Sequence, residues 1–208
     1  MNLTALKDAH KLLAEHRYQP AKLDKGYTDT ILYINLSNNK IVEKPVSKVL
    51  KEKFIGGRGF GLKLLWDATS DTTKWDDPAN EIIIGPGPIA GITQYPGTGK
   101  SYIVSLSPLT ECAYDSNTGG YFGPFLKFSG FDALEIQGKA EADVVVVIDG
   151  RTGRITIEEA PLEAVDTHVL VEQLTQLYAD NEDDRVNVSV ISARSEEHTS
   201  ELQSHHDL

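Results

Sequence analysis

Apolar residues at Leu3, Leu6, Ala9, Leu12 and Leu13 fall on one helical stripe, which predicts an amphipathic helix of about fifteen residues at the start of the chain. Gln19 precedes Pro20 and is pushed out of the α region, so the pattern ends that helix near Tyr18. Its polar face mixes Lys, Asp, Glu and His, which suits packing against the body of the protein or a partner rather than a membrane surface. The periodicity then changes to that of strands. Residues 31–36 and 41–46 flank Ser37-Asn38-Asn39-Lys40, whose asparagines tolerate positive φ, and the three segments together predict a β-hairpin. Short β-branched runs over 81–84, 101–106, 133–137, 144–148 and 154–157 predict five more strands, the last two joined by a turn over 149–153. A second helix is predicted over 167–179, capped by Asp166 and with Leu170, Leu174, Leu177 and Tyr178 on one stripe. A last strand is expected over 186–191. Strands and helices are not regularly interleaved and no repeat is present, so the fold class is α+β with mixed or antiparallel sheet.

The chain has 208 residues, 40% hydrophobic and 25% charged, a globular composition long enough for one large or two small domains. No apolar run approaches the ~20 residues of a bilayer span. The first thirty residues carry charges throughout and lack a secretory apolar stretch, so a cytoplasmic location is expected. The net charge of −11 is concentrated at one end: residues 158–208 hold thirteen acidic residues against Arg185 and Arg194, and the remainder is balanced. A balanced body offers no footprint for nucleic acid or anionic lipid. A single cysteine, Cys112, excludes an internal disulfide and any all-cysteine metal site built from this chain alone. No basic residue adjoins it, which predicts a buried small hydrophobe and not a nucleophile.

The tail from Arg194 to Ser204 has neither periodicity nor an apolar anchor, and it resembles the in-frame translation of a widely used sequencing adapter. The expected organisation is a helical extension over 1–26, a domain over 27–193 that is incomplete at its C-terminal end, and a non-native tail over 194–208.

Chemistry is concentrated in three glycine-rich segments. Residues 56–61, Gly-Gly-Arg-Gly-Phe-Gly, precede the apolar run 62–66 and read as a structural turn or as an anion cradle at a helix start. They follow the helix-like residues 51–55, whereas a dinucleotide fingerprint needs a strand there. Residues 97–101, Gly-Thr-Gly-Lys-Ser, imitate the end of a phosphate-binding P-loop, but Gln94 stands where its first glycine is required and a strand-like run follows. Lys100 remains a charge for some other anion. Residues 115–124 are dense in turn formers, with Gly119, Gly120 and Gly123 permitting close approach to a ligand, and they lead into a helical turn at 125–128. Three such segments in one domain suggest a broad, flat ligand held by backbone groups. His10 and His16 fall in the first predicted helix and His168 in the second, and no Ser/His/Asp grouping or HExxH spacing occurs.

Residues 56–67, 82–110 and 117–141 resemble the N-terminal domain of the aldehyde ferredoxin oxidoreductase family, most specifically in Ser107-Pro108-Leu109-Thr110 and the block from Asn117 to Gly138. The resemblance implies a base of two β-sheets that carries a tungsten, less often molybdenum, bis-pterin. It further implies a magnesium ion bridging the pterin phosphates, a 4Fe–4S cluster, ferredoxin as electron acceptor and an aldehyde oxidised with water to a carboxylic acid. The cofactor-binding residues it suggests are Arg58, Lys100, Asn117, Gly119 and Gly120, with the carbonyl of Asn117 helping to hold the magnesium. Lys100 stands where the family usually has arginine, which keeps the charge and loses the planar fork. No catalytic residue and no cluster cysteine is expected in this chain. Those parts belong to the remaining domains of the enzyme, so the chain is expected to be inactive alone. Related tungsten enzymes that act on aromatic thioesters or sugar-phosphate aldehydes, and a non-enzymatic binding domain, are the alternatives.

Overall fold

The structure is a computed structural model that describes residues 3–161 and 166–192. Two compact units divide the chain, residues 8–161 and residues 1–7 with 162–208.

The larger unit is built on a six-stranded sheet in the order β3-β2-β7-β4-β5-β6. The expected hairpin is β2 (Thr30–Asn35) and β3 (Lys40–Pro45), antiparallel in unbroken register around a turn in which Asn39 takes φ 55°. β7 (Ala133–Gln137) joins β2 in parallel, and β4 (Glu81–Pro86) joins β7 antiparallel, which makes the sheet mixed. β5 (Ser101–Leu106) and β6 (Ala113–Thr118) complete it. β6 falls within a stretch whose Asp, Ser, Asn and Thr read as turn formers. Pairing along the whole of β5 overrides those local preferences.

Two helices cover one face of the sheet. Ser47 accepts from the Leu50 amide and starts α2 (Lys48–Phe54), and after a turn through residues 55–57 the chain enters α3 (Arg58–Ala68). Phe60 and Leu65 of α3 and Leu50 of α2 pack on Ile31, Ile83, Val104 and Ala133 of the sheet. Burying Phe60 and Leu65 contributes roughly 1.5–3 kcal/mol each. At Gly61 a Cβ would come within 2.5 Å of Val104 Cγ2, so the glycine sets how closely α3 lies on β5. α4 (Phe122–Phe128) precedes β7, and its Lys127 forms a fully buried ion pair with Asp132.

A second sheet has three antiparallel strands, β1-β9-β8, with Ile155 and Ile157 of its middle strand buried. β8 (Val144–Asp149) and β9 (Arg154–Glu159) are the expected pair. The N-terminal helix is shorter than its pattern predicts: α1 spans Leu3–Ala9, and Lys11–Arg17 form β1 along the edge of β9. Leu12, which marks the helical stripe, is 51% exposed, while Ala14 and His16 are half-buried in strand alternation. A sheet edge satisfies the backbone of this segment better than a helix of marginal length does.

In the smaller unit, Asp166 caps α5 (Thr167–Tyr178) through the amides of His168 and Val169, as expected, and Leu170, Leu174 and Leu177 are buried. The strand expected over 186–191 does not form. Residues Asp183–Asn187 are a 3-10 helix, and residues 188–192 carry no regular structure. Valine alternation favours a strand only where a neighbouring strand is there to pair with it. The tail from Arg194 onwards lies outside the described residues.

Candidate functional site

The three glycine-rich segments meet at one end of α3. Gly57, the residue before that helix, takes φ 51° and donates its amide to the Pro86 carbonyl, tying the first segment to the end of β4. Gly99 lies against the third segment so closely that a Cβ there would stand 2.5 Å from the Gly120 carbonyl oxygen. Between them is a hollow of about 340 Å³ whose lining includes Gly57, Arg58, Gly87, Gly97, Lys100 and Tyr102. A Cβ at Gly87 or Gly97 would meet nothing within 4 Å, so the backbone there faces open space.

All five residues expected at the site are brought together. Arg58 and Lys100 line the hollow, and Lys100 Nζ donates to Asn117 Oδ1 at 3.0 Å. Gly119 sits beside the same ammonium, 3.8 Å from where its Cβ would lie, and Gly120 packs on Gly99. Strand geometry explains the placement of Asn117. Tyr102 faces Asn117 and Val104 faces Asp115 across the β5–β6 ladder, so both β6 side chains project to the face that α3 covers. Asp115 accepts from Arg58 Nε at 2.7 Å, which orients the guanidinium and leaves its terminal nitrogens available. Sequence reasoning missed Asp115. The signal was the alternation of Asp115 and Asn117 within a segment read as loop.

The arrangement can hold an anion. Two cations against one carboxylate leave a net positive charge, and the start of α3, which no side chain caps, adds the positive end of an eleven-residue helix dipole. Open glycine backbone beside two cations fits a flat, phosphate-bearing group such as a pterin. Neither histidine nor a carboxylate lines the hollow; the titratable side chains in its lining are Arg58, Lys100 and Tyr102. The rejected P-loop reading agrees with the structure, because Ser101 opens β5 and no helix follows Lys100. Cys112 corrects an expectation: it is exposed in the turn that joins β5 to β6, where Ser107 Oγ accepts from the Leu109 and Thr110 amides.

Among the described residues no helix is long and apolar enough to cross a membrane, and no group of three His, Cys, Asp or Glu could hold a metal ion. A β-rich base whose loops and helix start surround an anion-holding hollow is a scaffold for a bound group. Residues 31–201 match the aldehyde ferredoxin oxidoreductase, N-terminal domain, and the chain belongs to that family. It is 37% identical over 124 residues to the tungsten-containing aldehyde ferredoxin oxidoreductase of Pyrococcus horikoshii, covering 60% of this chain and 20% of that protein. It is 35% identical over 135 residues to the aliphatic sulfonate oxidoreductase, WOR-like subunit, of Pyrococcus furiosus, covering 62% of this chain and 21% of that protein. Among solved structures it is similar to the active site complex BamBC of benzoyl coenzyme A reductase, with a TM-score of 0.61 and 26% identity over 64% of this chain and 20% of that one. The chain thus spans about a fifth of the length of the curated relatives it matches.

Proposed function

We propose that this chain is the pterin-bearing base of a tungsten aldehyde ferredoxin oxidoreductase, an enzyme that converts an aldehyde and water into a carboxylic acid, two protons and two electrons destined for ferredoxin. The observation that carries this reading is the placement of Arg58 and Lys100 in the lining of one glycine-walled hollow, with Asn117 hydrogen-bonded to Lys100 beside it. When bound, the tungsten bis-pterin, or its molybdenum counterpart, supplies the two-electron chemistry. The chain's own residues bind and orient. Arg58, steadied by Asp115, and Lys100, steadied by Asn117, neutralise phosphate charge, and the glycine backbone lets a flat ring approach. The carbonyl of Asn117 would help to hold a magnesium ion that accompanies the pterin phosphates. Gly119 and Gly120 keep that side of the shelf free of side chains. Cys112 is the sole cysteine, so the ligands of a 4Fe–4S cluster come from other domains of the enzyme, as do the groups that choose the aldehyde.

A second reading keeps the site and changes the substrate. The likeness to a benzoyl coenzyme A reductase complex and to a sulfonate oxidoreductase supports a related tungsten enzyme acting on a different compound, such as an aromatic thioester or a sugar-phosphate aldehyde.

The test is anaerobic expression of the full-length gene with Arg58→Ala and Lys100→Ala, singly and together, followed by assay of bound tungsten and pterin. The double variant is expected to lose most of both, and Lys100→Arg to retain them. A double variant with wild-type tungsten and pterin content contradicts the proposal.

A further inference from the structure

The anion-holding hollow uses only one end of α3. The other end of the same helix, with α2, roofs a larger cavity of about 740 Å³ over the opposite part of the sheet. Its roof is apolar at Leu50, Phe54 and Leu64, whereas its floor carries Tyr33, Glu81, Glu135 and Gln137 on three adjacent strands. Glu135 faces Tyr33 of β2 and Ile83 of β4, and Glu81 faces Gln137, so the two carboxylates are diagonal neighbours on one face. Both residues are almost fully buried, at 1% and 3% exposure.

Lys44 of β3 pairs with Glu135 Oε2 and lies 3.9 Å from the centroid of the Tyr33 ring. Yet Glu135 Oε1 and Glu81 Oε2 are buried without a hydrogen-bond partner. Each orphaned acceptor carries a desolvation cost that a protein ordinarily avoids. The other charged pair that lines the cavity, Lys63 with Asp67, neutralises itself. When both carboxyls are ionised, they and one ammonium leave an excess negative charge beneath an apolar roof.

We infer that this cavity is a second binding site, which takes a small organic cation whose N–H groups donate to Glu81 and Glu135 while its carbon body lies against Leu50, Phe54 and Leu64. An ammonium or guanidinium group supplies what the floor lacks, donors directed at two acceptors and one positive charge. A metal ion fits less well, since the floor offers two carboxylates with an ammonium already beside one of them. Burial next to Glu135 raises Glu81 to about 7, with Lys44 acting in the opposite direction. The other ionisable groups facing it across the cavity are Tyr33, Lys63 and Asp67. A cation entering the site displaces the proton of Glu81, so its affinity climbs with pH up to about 7 and levels off above. This inference is independent of which cofactor occupies the first hollow.

The test is the thermal midpoint of the 208-residue chain at low micromolar concentration, titrated with n-butylammonium chloride at pH 5.5, 6.5 and 8, with butan-1-ol and sodium chloride as controls. A saturable rise is expected with the ammonium alone, with an apparent affinity about eightfold higher at pH 6.5 than at pH 5.5. Glu81→Gln is expected to abolish that pH dependence. No saturable rise with the ammonium overturns the inference, as does an equal response to butan-1-ol or to sodium. A pH dependence that survives in Glu81→Gln overturns it too, and the wild-type pH series decides the matter even if the variant does not fold.

Discussion

Asp132 ties the turn before β2 to the end of α4. Its carboxylate pairs with Lys127 and accepts from the amides of Thr28 and Asp29, while Lys127 Nζ also donates to the Gly26 carbonyl at 3.0 Å. Removing the charge of one partner leaves a buried ammonium uncompensated. Asp132→Asn is therefore expected to cost roughly 3–5 kcal/mol, as read from urea unfolding; a loss below about 1 kcal/mol would show that water reaches the pair. Glu81 acts in the reverse sense. Its folded value of about 7 lies above the ordinary 4.5, so the stability gained from its protonated form is complete below about 4.5 and is lost as the pH rises towards 7 and beyond. Glu81→Gln should flatten that loss and at pH 8 exceed the wild type by on the order of 3 kcal/mol. Guanidinium unfolding at pH 5 and pH 8 checks this, and an unchanged pH slope in the variant would contradict it.

Among the elements, α3 links the core to the site. Its glycines have separate tasks, with Gly57 turning the chain and Gly61 seating the helix on Val104. Gly61→Ala should overpack that contact and cost about 1–3 kcal/mol. Pairing it with Val104→Ala should recover part of the loss in a double-mutant cycle, and strict additivity would sever the two residues. Elements with strong local patterns were legible in the sequence: the hairpin from its Asn-Asn turn, β4, β5 and β7 from β-branched runs, and α5 from Asp166 and its leucine stripe. Elements that depend on a partner were not. β1 reads as helix because its leucines follow Leu3 and Leu6 in phase, and only the open edge of β9 makes it a strand. β6 reads as loop because β5 supplies what its own residues lack. Residues 186–191 read as strand and find no ladder. At the site, Arg58, Lys100 and Asn117 were named through the resemblance to the family, whereas Asp115 became visible only once β6 had aligned it with Asn117.

For the molecule as a whole, the net negative charge comes from residues 158–208 while cationic Arg58 and Lys100 line the hollow, an arrangement suited to an anionic ligand within a net-acidic protein. Ile55 and Ile89, both exposed, line that hollow, so its rim combines apolar and charged groups. The relatives are about five times as long as the stretch they share with this chain. The most direct measurement is a crystal structure of the full-length enzyme purified anaerobically with its cofactor in place. A pterin phosphate within hydrogen-bonding distance of Arg58 and Lys100, with the Asn117 carbonyl directed at a bridging magnesium, is the predicted result. A pterin seated away from these three residues, with the hollow filled by a side chain or by solvent, would contradict the account.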